Sequence, residues 1–167
     1  MSEEEGLRGF IDQMDHKMSE KSFEYFFTEI LGFDYSWHHT KWKEGLEESQ
    51  YFCVKASRDH GKSVFFMSYA LWLATFNPGI HIMIFSHSLE QTLEHMRFIK
   101  TNIEASSMLR PLVPEGRPWA KSYFEFTNGS RLMAKSVGGA TRGFHPDVVV
   151  CDDILWGTTG TELQRAA

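Results

Sequence analysis

The sequence predicts an α/β fold with a largely parallel central sheet and helices on both of its faces. Two apolar runs, at residues 51–54 and 80–85, are each followed by a longer segment of helical character. A third run, at residues 148–150, consists of three valines, which suits a central parallel strand. Strands that alternate with helices in this way are typical of a parallel sheet with crossover connections.

The composition is that of a folded protein with one domain. The chain has 167 residues, of which 42% are hydrophobic and 14% aromatic, so it can bury a substantial core. We expect a polar N-terminal segment over residues 1–20 and a single domain over residues 21–167. The net charge of −5 excludes a broadly basic surface, so any contact with DNA would be local or shared among subunits.

The remaining bulk features favour a protein of the cytoplasm. The longest apolar stretch, residues 64–76, is shorter than the roughly 20 residues that span a bilayer, so we expect no membrane segment. The first residues are acidic rather than basic and apolar, which is unlike a secretory signal. Cys53 and Cys151 are too few for a disulfide scaffold, and their apolar neighbours predict two buried thiols.

Two further segments predict packing rather than chemistry. Phe23, Phe26, Phe27, Ile30 and Leu31 have the spacing of one helix face, and we expect this stripe to pack on the core. The pair His38-His39 has no cysteine or carboxylate at metal-ligand spacing, which favours a surface or packing role.

A hairpin is predicted in the second half of the chain. The runs at residues 123–127 and 131–135 flank Asn128-Gly129, which is a strong signal for a type I′ turn. We expect this hairpin to be an insertion in the parallel sheet. A glycine-rich connection over residues 137–143 then leads into the valine strand.

The segment before the first long helix has the features of a phosphate-binding loop. Gly61, Lys62 and Ser63 stand at the predicted junction of strand and helix, where backbone N–H groups and the helix N-terminus attract phosphate. In such a loop Lys62 would contact the β- and γ-phosphates, and the Ser63 hydroxyl would bind Mg²⁺. The first glycine of the G-x-x-x-x-G-K-[ST] pattern is replaced by Ala56, and a chance basic helix start is the alternative.

Two acids end the valine strand, where a nucleotide site needs a carboxylate for its metal ion. Asp152 would hold Mg²⁺, and Asp153 would orient and deprotonate the attacking water. Either aspartate alone would be interpreted as a surface cap of the strand. Together with the loop around Lys62 they predict an ATP site at the carboxyl ends of two neighbouring strands, the one before Lys62 and the one that ends at Asp152.

These motifs resemble the large subunit of the terminases, the DNA-packaging motors of tailed viruses. The resemblance covers about residues 20–160 and rests on the run Ala-Ser-Arg-Asp-His-Gly-Lys-Ser, on the hairpin, and on Thr141-Arg142-Gly143 before the acidic strand. It implies an ATP-binding loop formed by Ala56, Ser57, Arg58, Asp59, His60, Gly61, Lys62 and Ser63. It also implies catalytic roles for Arg58 and Arg142. Arg142 resembles an arginine that some family members extend into a neighbouring subunit's site, so it would act in its own subunit or in a neighbour, and a solvated loop arginine is the alternative.

The resemblance further implies a function and a set of partners. Such a P-loop ATPase hydrolyses ATP with Mg²⁺ to drive double-stranded DNA into a procapsid, as a homo-oligomeric ring that meets the portal protein and the terminase small subunit. The location would be the host cytoplasm, transiently on the procapsid. Asp153 departs from the glutamate of many relatives. Because the chain ends soon after Asp153, we expect an incomplete ATPase domain without the family's nuclease domain.

Two alternatives remain open at the level of sequence. The chain could be a non-catalytic, nucleotide-binding fragment of a split or decayed gene. It could also belong to another P-loop motor such as a helicase, although no strand-separating motif is visible.

Overall fold

The computed structural model describes residues 3–116, 119–138 and 144–154. Its helices are α1 (Glu3–Lys21), α2 (Phe23–Tyr25, continued by a π-helical turn over Phe26–Ile30), α3 (Trp37–Glu48), α4 (Lys62–Phe76) and α5 (Leu89–Ala105), with a 3-10 turn at Arg110–Leu112. Its strands are β1 (His81–Ser86), β2 (Tyr123–Glu125), β3 (Arg131–Ser136) and β4 (Val148–Asp152). The predicted α/β class is confirmed.

The four strands form one mixed sheet in the order β2-β3-β1-β4. Strand β1 is parallel to both β3 and β4, whereas β2 is antiparallel to β3. The sheet is therefore only partly parallel. Burial alternates along β4, so that Val149 is 51% exposed and Cys151 is also exposed. The prediction of two buried thiols was wrong, because Cys53 is exposed as well.

The strand predicted over residues 51–54 is not present. These residues follow α3 as a loop that reaches α4, and Tyr51 is 86% exposed. Within the described part of the chain, β4 is paired to β1, so the expected pairing of a strand before Lys62 with the strand of Asp152 was wrong. An apolar run becomes a strand only where a neighbour pairs with its backbone, and residues 51–54 have none in this sheet.

The predicted hairpin is present, but it is a structural part of the sheet. Strand β3 lies between β2 and β1, so the expectation of an insertion was wrong. The turn also differs from type I′, which needs a positive φ at both central residues. Of the Asn128-Gly129 pair only Gly129 has one, at 83°, and Phe126 pairs with Ser130 around a three-residue loop. A glycine in the left-handed region is the usual end of such a loop.

The side chain of Asn128 explains why this turn packs against α4. Its amide donates to the carbonyls of Ala74 (2.8 Å) and Thr75 (3.2 Å), and its oxygen accepts from the N–H of Ser130 (3.0 Å). The last turn of a helix leaves carbonyls without intrahelical partners, and an amide side chain can satisfy them. The hairpin turn is thereby fixed to the C-terminal end of α4.

The aromatic residues of the first half form the packing layer around α4. Phe23, Phe26 and Phe27 are at most 1% exposed, which confirms that their stripe packs on the core. Helix α4 is apolar nearly all round and buries Phe65, whose ring lies 5.2 Å from that of Phe23. Edge-to-face contacts of this kind recur through the layer. None of the helices that the structure describes is long and apolar enough to cross a membrane.

Residues 3–21, expected as part of a polar segment, form α1. The helix rests on the domain through polar groups, since the indole of Trp72 donates to the carbonyl of Ser19 (2.7 Å) and the hydroxyl of Ser107 donates to Asp12 (2.8 Å). The ring of His16 packs edge-on against Phe76. The apolar side chains of α1 face solvent.

Candidate functional site

The predicted phosphate-binding loop leads directly into α4. Gly61 precedes the helix with a left-handed backbone (φ 68°), and its carbonyl accepts the N–H of Phe65 at 2.8 Å, which begins the helical hydrogen bonding. Glycine adopts this conformation without the steric cost that a Cβ adds. Asp59 is also left-handed (φ 65°), and Arg58, Asp59 and His60 are exposed. The loop therefore presents its polar residues to solvent at the N-terminus of a long buried helix.

The ammonium group of Lys62 is held by the loop itself. Its Nζ donates to the carbonyl oxygens of Ala56 (3.1 Å) and Ser57 (2.9 Å). Two carbonyls satisfy part of the hydrogen-bonding capacity of a cation that has three donors. Lys62 is the first residue of α4, so its ammonium group lies near the helix N-terminus. An anion bound there would meet a positive charge and the backbone N–H groups of the first helical turn.

The two halves of the predicted site meet at Ser63 and Asp152. The Ser63 hydroxyl donates to Asp152 Oδ2 at 2.6 Å, although the two residues are 89 positions apart in the chain. Ser63 belongs to the first turn of α4, and Asp152 is the last residue of β4. Asp152 is 6% exposed, and no other aspartate or glutamate is buried in the described part of the chain. The fold thus brings a hydroxyl and a buried carboxylate, from distant parts of the chain, into direct contact.

His95 completes this cluster and was missed by the sequence motifs. Its Nε2 lies 3.0 Å from Asp152 Oδ2, and the histidine is 7% exposed. This is a close electrostatic contact and not a well-aligned hydrogen bond, because the ring N–H does not point straight at the carboxylate oxygen. The sequence does contain a signal for this residue, because Thr92 and His95 are polar residues on the otherwise apolar buried face of α5. A polar side chain on a buried stripe needs a partner, which predicts a nearby acid.

The environment of Asp152 favours its ionised form. Burial raises the pKa of Asp152, but the close contact with His95, the hydroxyl donor of Ser63 and the charges of His95 and Lys62 together outweigh burial and lower that pKa. Donors to a charged carboxylate stabilise that form against protonation. A buried carboxylate that stays ionised is the group that a divalent cation requires.

Asp153 differs from its neighbour in exposure and backbone. It is exposed and has a left-handed backbone with a φ of 49°, a conformation that aspartate tolerates better than most residues. The strand thus ends with one carboxylate inside the site and one at its surface. Arg142, the arginine expected to act on a neighbouring subunit, lies outside the described residues.

Helix α3 supports the loop from beneath through His39. The His39 ring stacks on Phe65 (5.1 Å between centroids, 17° between planes), and its Nδ1 accepts the N–H of Ser36 at 3.1 Å. Burial and the charge of His38 lower the pKa of His39. A Cβ built on Gly61 would lie 3.7 Å from His39 Nε2, so the ring is in contact distance of the loop. The predicted packing role of His39 is confirmed by its 5% exposure.

The donor set suits Mg²⁺ better than a transition metal. Ser63 and Asp152 offer hard oxygen atoms, and Mg²⁺ is usually held by one or two carboxylates together with water and substrate phosphates. Among the residues that the structure describes, no group of three or more histidine, cysteine, aspartate or glutamate side chains could hold a metal ion. An ion at this position would therefore take further ligands from a bound phosphate and from water.

Comparison with the models of known protein families finds no match for this chain, and comparison with curated proteins finds no significant relative either.

Proposed function

We propose that the chain binds Mg-ATP between the loop of residues 56–63 and the end of β4, and that it hydrolyses ATP there. One observation carries this proposal, the 2.6 Å hydrogen bond from Ser63 to Asp152. A hydroxyl at the start of a helix and a carboxylate at the end of a parallel strand are the two protein groups that hold Mg²⁺ in P-loop nucleotide hydrolases. Their contact here joins two motifs that are separate in the sequence.

Each residue of the proposed site has a role that follows from its chemistry. Lys62 would exchange its loop carbonyls for the β- and γ-phosphates, because phosphate oxygens carry more negative charge. Ser63 and Asp152 would hold Mg²⁺, and Asp153 would orient and deprotonate the attacking water. Arg58 and Arg142 would stabilise charge that develops on the γ-phosphate.

The biological role that best accommodates this chemistry is DNA packaging. The resemblance to the terminase large subunit implies an ATPase that drives double-stranded viral DNA into a procapsid as a ring on the portal, with the terminase small subunit as partner. With a net charge of −5, the chain would contact DNA through local groups rather than through overall charge.

The test is nucleotide binding by a Lys62→Ala variant. We expect a fluorescent ATP analogue with Mg²⁺ to bind the parent chain and to show no measurable binding to the variant, because a point charge that faces two phosphates is lost. Lys100→Ala removes an equal charge from an exposed position on α5 and serves as the control. Equal affinity in the parent chain and the Lys62 variant would exclude the phosphate-binding loop.

A nucleotide-binding protein without turnover is the second candidate. The observation that favours it is the exposure of Asp153, because the metal-binding part of the site is buried and paired whereas the expected base lies at the surface. Phosphate release distinguishes the two candidates: a binding protein would retain Mg-ATP affinity and release no phosphate above the buffer rate.

A further inference from the structure

Helix α1 presents an apolar stripe to solvent. Five side chains that are 44% to 62% exposed form it: Leu7, Phe10, Ile11, Met14 and Met18. The side of the helix that adjoins the stripe contacts the domain through polar groups, since Asp15 accepts the hydroxyl of Tyr25 at 2.8 Å and Asp12 accepts that of Ser107 at 2.8 Å. An amphipathic helix normally turns its apolar face to the core, so this orientation leaves the face that favours burial without a partner in the described chain.

The spacing of the stripe is that of a coiled coil. Leu7, Ile11, Met14 and Met18 follow one another at intervals of four, three and four residues, which places them at alternating d and a positions of a heptad. Such a stripe packs best against another helix with the same spacing, because each side chain inserts between four residues of its neighbour. This spacing fits the surface of another helix.

We propose that α1 pairs with α1 of a second copy of this chain in an antiparallel arrangement. In this arrangement an a residue faces a d residue, so Ile11 meets Met14 of the second copy and Leu7 meets its Met18. Two-fold symmetry repeats both contacts, which gives four apolar layers from one short helix.

The charges beside the stripe favour the antiparallel direction. Arg8 and Asp15 both occupy e positions, and antiparallel helices bring e positions face to face. Arg8 of each copy would thus meet Asp15 of the other, which gives two ion pairs. In a parallel pair an e position faces a g position, so Arg8 would meet Glu3. Asp15 would meet the apolar ring of Phe10, so the antiparallel pair is the direction that gives Asp15 an opposite charge. Asp15 keeps one carboxylate oxygen for this contact, because Tyr25 occupies only Oδ1.

Sedimentation equilibrium of the full chain over a range of concentrations tests the apolar contact. We expect a monomer–dimer equilibrium in the parent chain and a dissociation constant at least about 100-fold higher for Ile11→Asp, because each copy would bury an unpaired charge. Gln13→Asp is the matched control, since it adds the same charge to an exposed position of α1 outside the stripe. Its dissociation constant should stay that of the parent. Ile11 is 48% exposed in the monomer, so the thermal unfolding midpoint of the variant should stay close to that of the parent.

A charge exchange tests the direction of the pairing. Arg8→Asp replaces two attractive contacts by two repulsive ones, and we expect roughly tenfold weaker association at low salt. The double variant Arg8→Asp with Asp15→Arg exchanges both charges and should restore the parent affinity. Tyr25→Phe removes only the contact within the chain and should leave association unchanged.

Three results would overturn the proposal. A parent chain that stays monomeric at all concentrations would exclude self-association. Failure of the double variant to restore affinity would exclude the antiparallel register. Binding of the monomeric parent chain to phosphatidylcholine vesicles, with loss of that binding in Ile11→Asp, would assign the stripe to a lipid surface instead.

Discussion

Replacement of His95 by alanine should lower the affinity of the nucleotide complex for Mg²⁺. It should leave the affinity for the metal-free nucleotide unchanged. Asp152 is 6% exposed. Its Oδ2 accepts the Ser63 hydroxyl at 2.6 Å and lies 3.0 Å from His95 Nε2. When Mg²⁺ engages the Ser63 oxygen in the proposed complex, His95 becomes the group that fixes the orientation of the carboxylate. His95 would then act through Asp152 as a positioning residue.

The expected magnitude follows from this geometry. Loss of a partner that orients a metal ligand typically weakens metal affinity by about 10- to 100-fold. The N–H of His95 is not aligned with its contact to Asp152, so we expect the lower end, an increase of about tenfold in the Mg²⁺ concentration for half-saturation. That change corresponds to about 1.4 kcal/mol.

The assay is a Mg²⁺ titration of the complex with a fluorescent ATP analogue, compared with affinity in the presence of a chelator. His95→Gln should recover much of the loss, because the glutamine amide can bring an N–H donor close to the place of Nε2. Ile99→Val, one turn further along the buried face of α5, controls for packing. It should cost roughly 1 kcal/mol of folding stability and leave the Mg²⁺ titration unchanged.

The result that would refute this reasoning is an unchanged Mg²⁺ titration in His95→Ala with nucleotide still bound. Equal loss in His95→Ala and His95→Gln would also refute it, because a donor would then make no difference. Absence of nucleotide binding in the parent chain would instead contradict the proposed function, so the two failures are distinguishable.

Three further predictions concern the loop and the end of β4. Asp152→Ala should abolish the Mg²⁺ dependence of nucleotide binding, whereas Asp153→Asn should bind Mg-ATP normally and slow phosphate release; turnover at the parent rate would show that Asp153 is not the base. His39→Gln should flatten the pH profile of the free energy of unfolding. Burial and the charge of His38 lower the pKa of His39 from 6.5, so the folded chain binds this proton less readily and the parent loses stability as the pH falls through 6.5; a pH-independent difference between parent and variant, measured by urea unfolding, would contradict this. Gly61→Ala should cost about 1 kcal/mol of folding stability through its left-handed φ alone, because the added Cβ only touches His39; thermal unfolding at the parent midpoint would refute this.

The meeting of Ser63 and Asp152 could be predicted from sequence because both residues have local signals. Gly61-Lys62-Ser63 marks the start of a helix, and the valine run marks a strand whose carboxyl end carries the acid. Residues that follow parallel strands and precede their crossover helices gather at one edge of a sheet. The rule accounts only for Asp152 at the end of β4, because no strand of the described sheet precedes α4; the packing of α4 places Ser63 beside Asp152.

The features that the sequence did not predict depend on which strands and side chains pair with each other across the fold. A short stretch of sequence carries no signal for such pairing. Residues 51–54 are apolar, yet no strand of the described sheet pairs with them, so they remain a loop. The hairpin turn was recognisable from Asn128-Gly129, but nothing in that motif indicates that β3 pairs with β1 on its other side. No motif marks His95, because its partner Asp152 is 57 residues away in the chain. The two residues meet only when α5 packs on β1 and β3 and brings His95 to the end of β4.

The proposed site has two parts, one for the metal ion and one for the phosphates, and separate contacts position them. The metal part is fixed by the core, because Ser63 lies in the first turn of the largely buried α4, His95 lies on the buried face of α5, and Asp152 ends a strand that pairs with β1. The phosphate part is a loop whose lysine is bound to its own carbonyls and whose support is the ring of His39. Nucleotide binding would therefore have to exchange hydrogen bonds in the loop, whereas the two proposed Mg²⁺ ligands, Ser63 and Asp152, already lie 2.6 Å apart, with His95 3.0 Å from the same carboxylate oxygen. Substitutions in the loop should accordingly change nucleotide affinity with or without metal, and substitutions around Asp152 should change only the metal-dependent part.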